Sequence, residues 1–257
     1  MSEHVKREIA DGVMTLTLQR PDKKNALSGA MYNALSDAVR HADVDDSVRV
    51  VLFQGDGDSF TAGNDMADFA RQAGADNSAE SPVRRFIGAI SNASKPLVAA
   101  VQGNAVGIGT TMLLHCDLVY LADNARLITP FVKLALVPEA ASSWLLPLRI
   151  GHVRAYAMFA LGEPMEAVAA LACGLANAVV PQAELRKKAR DAALALSRLP
   201  SGSLSQTKRL MRDYQRIAAQ ATEEGRLFEE RLKTAEAREA FAAFAERRPP
   251  NFAKLPA

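Results

Sequence analysis

Cysteine is scarce in this chain, with Cys116 and Cys173 the only two among 257 residues. A disulfide framework therefore cannot organise the fold, and a reducing compartment is the expectation. Histidine is nearly as sparse. His4, His41, His115 and His152 include no pair at the helical spacing of metal ligands, so no zinc site is expected. Long hydrophobic runs are missing as well: Leu97 to Val101 and Leu134 to Val137 fall far short of the ~20 residues of a membrane span. The charged segment Met1 to Asp11 lacks the apolar core of a signal peptide, and Leu255-Pro256-Ala257 is not a peroxisomal address. An excess of one charge is also absent. Lysine and arginine total 31 against 29 acidic residues, a net +2, which argues against a dedicated nucleic-acid surface while permitting local basic spots for phosphates. With 15 Gly and 12 Pro, collagen-like and low-complexity structure are excluded. A cytoplasmic protein with no membrane or nucleic-acid partner is the resulting expectation.

What is present suits a globular core. Hydrophobic residues make up 49% and charged residues 23%, enough for one sizeable core with a small appendage. The first half alternates two periods. Val13 to Gln19 reads as a strand with Met14, Leu16 and Leu18 on one face and threonines on the other. Ser28 caps a helix in which Met31, Leu35, Ala38 and Val39 recur at helical spacing. Buried strands are predicted at Val48 to Phe53 and Pro96 to Val101, with a helix from Pro82 to Ala93 between them. A helical stretch ending at His115 precedes strand-like Leu118 to Ala122 and Leu127 to Thr129. Such spacing implies right-handed crossovers and a mostly parallel sheet, an α/β fold. Beyond Ala140 the pattern turns helical at Trp144 to Gly162 and Gln182 to Leu199, interrupted by a strand at Ala178 to Pro181. Ser203 to Glu246 is amphipathic and helical, and the tail from Arg247 onward, with three prolines, reads as irregular. No internal repeat is visible.

Three segments could carry chemistry, and each has a plain structural alternative. Gly103-Asn104-Ala105-Val106-Gly107-Ile108-Gly109 follows a strand but lacks the Gly-Lys-Ser/Thr ending of a phosphate loop and the third glycine of a dinucleotide fingerprint. It is a strand-to-helix turn with exposed amides, suited to an oxyanion, or simply a tight turn. Phe60-Thr61-Ala62-Gly63-Asn64-Asp65-Met66 has small residues that let a ligand approach the backbone. It also reads as a loop in which Asp65 caps a helix near Met66 to Arg71. Gln72 to Ser81 follows as a mobile loop. In Val137-Pro138-Glu139-Ala140-Ala141-Ser142-Ser143-Trp144, Pro138 suits the first turn of a helix and Glu139 sits in that turn, favoured by the dipole. Its functional reading is a general base in an apolar pocket beside Leu136 and Trp144, where desolvation raises its proton affinity.

Taken in order, these segments resemble the crotonase superfamily, the enoyl-CoA hydratase and isomerase fold. The likeness covers nearly the whole chain. It includes Arg20-Pro21 with Asn25-Ala26-Leu27, Ser94-Lys95-Pro96, Cys116-Asp117, and Gly174-Leu175 with Val179-Val180-Pro181. The resemblance implies the crotonase (ClpP-like) fold of repeated ββα units over residues 1–199. It further implies a helical C-terminal region, 200–257, that covers the active site and mediates assembly into a homotrimer or hexamer. It implies an acyl-CoA thioester substrate whose enolate oxygen is held by the amides of Asn64 and Ile108. Lys24, Ala26, Ala62, Gly63, Asp65, Met66, Gly107 and Gly109 would line the CoA moiety and the oxyanion hole. No metal or cofactor is implied beyond the CoA of the substrate.

Hydratases of this superfamily use two glutamates, where this chain has Thr111 and Phe131. Ala62-Gly63-Asn64-Asp65 together with Pro138-Glu139 and the residues after it is similar to the peroxisomal-type Δ3,Δ2-enoyl-CoA isomerases. There a single glutamate, here Glu139, is the base of a β-oxidation isomerase. Ala140-Ala141 departs from that pattern. Another reaction on an acyl-CoA, such as hydration, dienoyl isomerisation or hydrolysis, or a binding-only role, stays open on the sequence.

Overall fold

The computed structural model describes residues 2–66 and 81–254. The Met66 to Arg71 helix and the Gln72 to Ser81 loop fall mostly outside them; Ser81 itself accepts from the Arg84 N–H as a helix cap. The backbone of the fold is a six-stranded sheet of β1 (Val5–Ala10), β2 (Val13–Leu18), β3 (Val50–Gly55), β4 (Leu97–Val101), β6 (Leu118–Ala122) and β9 (Ala178–Val180), in that order. Only β1 runs antiparallel to its neighbour. The strand β1 was hidden in the sequence because all but Val5 of its residues are exposed, leaving no apolar alternation to read.

Both faces of the sheet are covered. One side carries Met14, Leu16, Phe53, Leu97 and Val101 into a core shared with helix α1 (Gly29–Val44) and helix α2 (Pro82–Asn92). On the other side Val13, Leu52, Val98 and Ala100 meet Leu185, Ala189 and Ala193 of helix α7 (Gln182–Ser197). The threonines of β2 are consequently buried rather than solvent-facing, and Thr17 accepts a hydrogen bond from Gln54 at 3.0 Å. Burial on both faces is what parallel strands require. Ser28 caps α1 as its sequence predicts.

The chain then leaves the large sheet by the same route twice. From β4 it passes directly to β5 (Asn104–Val106), and from β6 to β7 (Arg126–Ile128). The strands β5 and β7 pair in parallel in a second, smaller sheet completed by β8 (Met165–Glu166). After β3, Thr61 bridges Ala105 in the same manner. These are repeated strand–strand–helix units that share geometry without shared sequence. Their second legs deliver three loops to one place.

The helical part is more broken than its periodicity suggests. Helix α4 (Ser142–Ile150) stops at Gly151, and α5 (His152–Tyr156) passes into a π-helical turn, Ala157–Leu161. A short helix α6 (Ala167–Ala172) precedes β9. The Ser203 to Glu246 stretch folds as α8 (Ser201–Leu210), α9 (Tyr214–Leu232) and α10 (Ala235–Ala245). Helix α8 is tied to the sheet by buried Lys208, whose Nζ donates to Asp117 and to the Lys95 carbonyl, each at 2.8 Å. Among the described residues no helix is long and apolar enough to cross a membrane.

Lys208 holds a carboxylate and a carbonyl that would otherwise lie facing an apolar stem. Lys208→Met is expected to lower unfolding free energy by about 1.5–3 kcal/mol, the range for hydrogen bonds to charged groups, read from urea denaturation.

Candidate active site

The turn after β5 enters helix α3 (Ile108–Thr111), and it turns at Gly107 with φ +56° and ψ −117°. A side-chain-bearing residue is strained there, and glycine alone takes the conformation without cost. The Gly107 N–H is spent on the Ile128 carbonyl of β7, while the Thr110 and Thr111 amides return to the Gly107 carbonyl. Ile108, at the first helical position, keeps its N–H without an acceptor among the described residues, as helix geometry dictates.

The second loop lies alongside. The Ala62 N–H donates to the Lys24 carbonyl, the Leu27 N–H to the Gly63 carbonyl and the Asp65 N–H to the Leu27 carbonyl. This ladder skips Asn64, whose amide also has no acceptor among the described residues. Gly63, at φ +83°, allows the approach: a Cβ there would sit 2.8 Å from the Val106 carbonyl oxygen. The segment Ala62 to Asp65 is thus joined by backbone hydrogen bonds to Lys24 and Leu27, on either side of Ala26, and Gly63 lies against Val106. Asp65 forms an ion pair with Arg20 at 2.7 Å. Arg20 also donates to the Ala26 carbonyl, and buried Asn25 fastens the same turn through Asp56 and Ser59. The Asn25 contribution is legible in sequence only as part of a motif, because Asp56 and Ser59 lie 31 and 34 positions away.

Glu139 arrives from the third loop. It is not in the first turn of a helix: α4 begins at Ser142, and Pro138 and Glu139 lie in chain without regular secondary structure before it. Two consecutive left-handed residues intervene, Ala140 at φ +60° and Ala141 at φ +56°. Alanine pays about 1–3 kcal/mol for each such conformation, so the surroundings must impose it. No dipole therefore favours Glu139 as a helix-terminal carboxylate, and its chemistry comes from burial.

The carboxyl of Glu139 is buried and accepts one hydrogen bond, from the Thr111 hydroxyl to Oε1 at 2.5 Å. Among the described residues its Oε2 has no partner. Desolvation pushes its pKa up to about 8, opposed by the Thr111 hydrogen bond and assisted by the negative charge of Glu224. Thr111 lies on α3, one turn beyond Ile108, so one short helix presents both the free amide and the hydroxyl that holds the acid. Tyr32 of α1 is close enough to feel the Glu139 charge, and burial holds its phenol well above the usual value, hence protonated. It donates to the Asn64 side-chain oxygen. Leu136 is buried just upstream, whereas Trp144 lies half-buried under the Arg216 guanidinium. Phe131 is buried and packs near Phe159.

Two amides without an acceptor among the described residues, on the turns at Gly63 and Gly107, together with a desolvated carboxyl form an arrangement that could polarise an oxygen and move a proton. Comparison with known proteins makes the assignment sharper. The profile described as enoyl-CoA hydratase/isomerase matches residues 8–255, and the chain belongs to that family. It is 34% identical over 244 residues to enoyl-CoA delta isomerase 2 of Rattus norvegicus, which covers 93% of this chain and 62% of the relative. The chain thus spans less than two thirds of that isomerase. A probable enoyl-CoA hydratase of Rhodobacter capsulatus is 32% identical over 256 residues, with 98% of this chain and 99% of the relative covered. The crystal structure of an enoyl-CoA hydratase/isomerase from Pseudoalteromonas atlantica T6c superposes with a TM-score of 0.93 at 41% identity, over 97% of this chain and 100% of that one. The crotonase fold follows from this superposition and from the repeated units above.

Among the described residues Thr111 supplies the one hydrogen bond that stabilises the Glu139 anion. Thr111→Val is expected to raise the Glu139 titration midpoint further above its value of about 8, read by NMR on carboxyl-labelled glutamate.

Proposed function

We propose that this enzyme moves a double bond from 3-enoyl-CoA to trans-2-enoyl-CoA by a 1,3-proton shift on Glu139. The observation that carries the reading is the desolvated Glu139 carboxyl, with one oxygen anchored on Thr111 and the other without a partner among the described residues. As a carboxylate it takes the proton from C2, and the electrons pass into a dienolate whose oxygen accepts from the Asn64 and Ile108 amides. The double bond shifts to C2–C3 as Glu139 returns the same proton to C4. Acid and base are one group at successive moments, so the cycle closes without a second carboxyl. A proton affinity near the working pH serves both halves, since neither transfer is steeply uphill. Lys24, Ala26, Ala62, Asp65 and Met66 would flank the CoA moiety, and the conjugated product is one that β-oxidation consumes. Coenzyme A enters only as part of the substrate.

Hydration, the activity named for the Rhodobacter capsulatus relative, needs water activation and proton delivery by a pair of groups. Here Thr111 and the buried Phe131 stand where that pair would be, which favours isomerisation.

Exposed Leu148, Val153, Tyr156 and Val168, on or beside α4 to α6, support assembly of several copies, which we read as a homotrimer or a hexamer. Sedimentation equilibrium is expected to give three or six copies of the 27.6 kDa chain. A monomer at micromolar concentration would reject the assembly.

The base has its own test. Glu139→Gln is expected to cut kcat for 3-enoyl-CoA by about 10² to 10⁴, with KM little changed. In the wild type, kcat/KM is expected to fall as pH drops through about 8, because the raised carboxyl then takes up its proton and ceases to be a base. Full turnover by the glutamine variant would defeat the mechanism.

A further inference from the structure

The Ala140–Ala141 turn that aims Glu139 is gripped from two sides by groups the reaction does not use. On one side the Ala140 carbonyl accepts from His115 Nε2 at 2.8 Å, and His115 Nδ1 accepts from Arg212 at 2.9 Å. Burial and the neighbouring Arg212 hold this imidazole down at about 3, so it stays neutral, with its one proton committed to Ala140. On the other side stands Glu224, from the middle of α9. Its Oε1 accepts from the Ser143 N–H at 2.9 Å and the Ser143 hydroxyl at 2.5 Å, while its Oε2, like that of Glu139, has no partner among the described residues. Gln220, one turn earlier on α9, donates to the Ser143 hydroxyl at 2.8 Å. Ala141 is the N-cap position of α4 and has no side chain with which to cap. Glu224 fills that role from a distant helix.

The two buried carboxyls are furnished differently. Among the described residues Glu139 has one donor, Thr111. Glu224 has two, the Ser143 amide and hydroxyl, both in the first turn of α4 at its electropositive start. When two carboxyls share a buried region, the better-solvated one keeps the charge and the other keeps the proton.

We propose that Glu224 is a positioning residue for Glu139: its carboxylate pins the start of α4 directly after the left-handed turn that His115 holds from the other side, and it carries the negative charge of the pair, leaving Glu139 as the group that gains and loses a proton. This rests on the isomerase reading for its catalytic consequence, though not for its electrostatics. Burial raises Glu224 as well, but its donors oppose that shift, and the Coulombic influence on Glu139 comes from Glu224. Other charged groups near the pair are already engaged. Arg84 of α2, which lies over Gly225, is paired with Glu229 at 2.9 Å. Arg216 lies over Trp144, and Arg212 is held by His115. Glu236 of α10 is bound to Arg231, about two turns along α9 from Glu224. Tyr32 faces Glu139 as a neutral phenol.

The experiment uses the full chain labelled with carboxyl-¹³C glutamate, without substrate. The two signals are assigned by their loss in Glu139→Gln and in whichever of Glu224→Gln and Glu224→Asp retains the wild-type circular dichroism. In wild-type protein Glu224 is expected to titrate at lower pH than Glu139; the reverse order overturns the proposal, whatever the variants do. In Glu224→Gln the Glu139 midpoint is expected to move to lower pH, because a neighbouring negative charge has gone. The acid limb of kcat/KM for 3-enoyl-CoA should move with it, and a Glu139 midpoint that stays in place overturns the proposal. A wild-type protein that binds 3-enoyl-CoA without converting it would remove the isomerase reading. The carboxyl titrations would then still decide whether the two glutamates are coupled.

Discussion

Burying a carboxyl with one oxygen unpartnered is costly, and much of this structure is arranged to hold Glu139 in that state. In water the group would be an unremarkable anion at neutral pH. Here a single threonine hydroxyl and a nearby negative charge compete with desolvation, and desolvation prevails. The result is a carboxyl able to exchange its proton near neutrality, which exposed glutamates are not. Everything else in the site can be seen as fixing where that proton goes.

The repeated passage from the large sheet to the small one performs the fixing. Each passage ends in a loop whose backbone is partly spent on the neighbouring strand, leaving selected amides over. Asn64 and Ile108 are such remainders. Their side chains matter less than the skipped positions in two hydrogen-bond ladders, and Tyr32 steadies the loop bearing Asn64 through its side-chain amide. On the proposed isomerisation, strands that position these donors in advance would leave little reorganisation when charge develops on a bound oxygen.

The C-terminal helices complete the arrangement from outside the core. Arg212, Gln220 and Glu224 reach back to His115 and Ser143, and through them hold two alanines in a conformation that alanine does not favour. Helix α9 is therefore more than a cover for an apolar surface. Its interior polar residues connect the last third of the chain to the loop carrying the acid, and strain in that loop is offset by bonds made far away in sequence.

By itself the sequence determined the alternating strand and helix pattern, the capped helix after Ser28, the three loops of interest and the family resemblance that links them. These follow from local period, turn residues and motif order, which are properties of neighbouring residues. It misjudged the start of α4, because Pro138 imitates a helix N-terminus, while the left-handed Ala140 and Ala141 carry no local signal. It also missed β1, whose exposed residues show no alternation, and the breaks at Gly151 and between α8, α9 and α10. Only the tertiary structure decided that Glu139 is desolvated, that Thr111 donates to it and that Glu224 lies within Coulombic range. Those facts depend on groups separated by up to 85 positions, numbering from Glu139 to Glu224, which only packing brings within hydrogen-bond or Coulombic range.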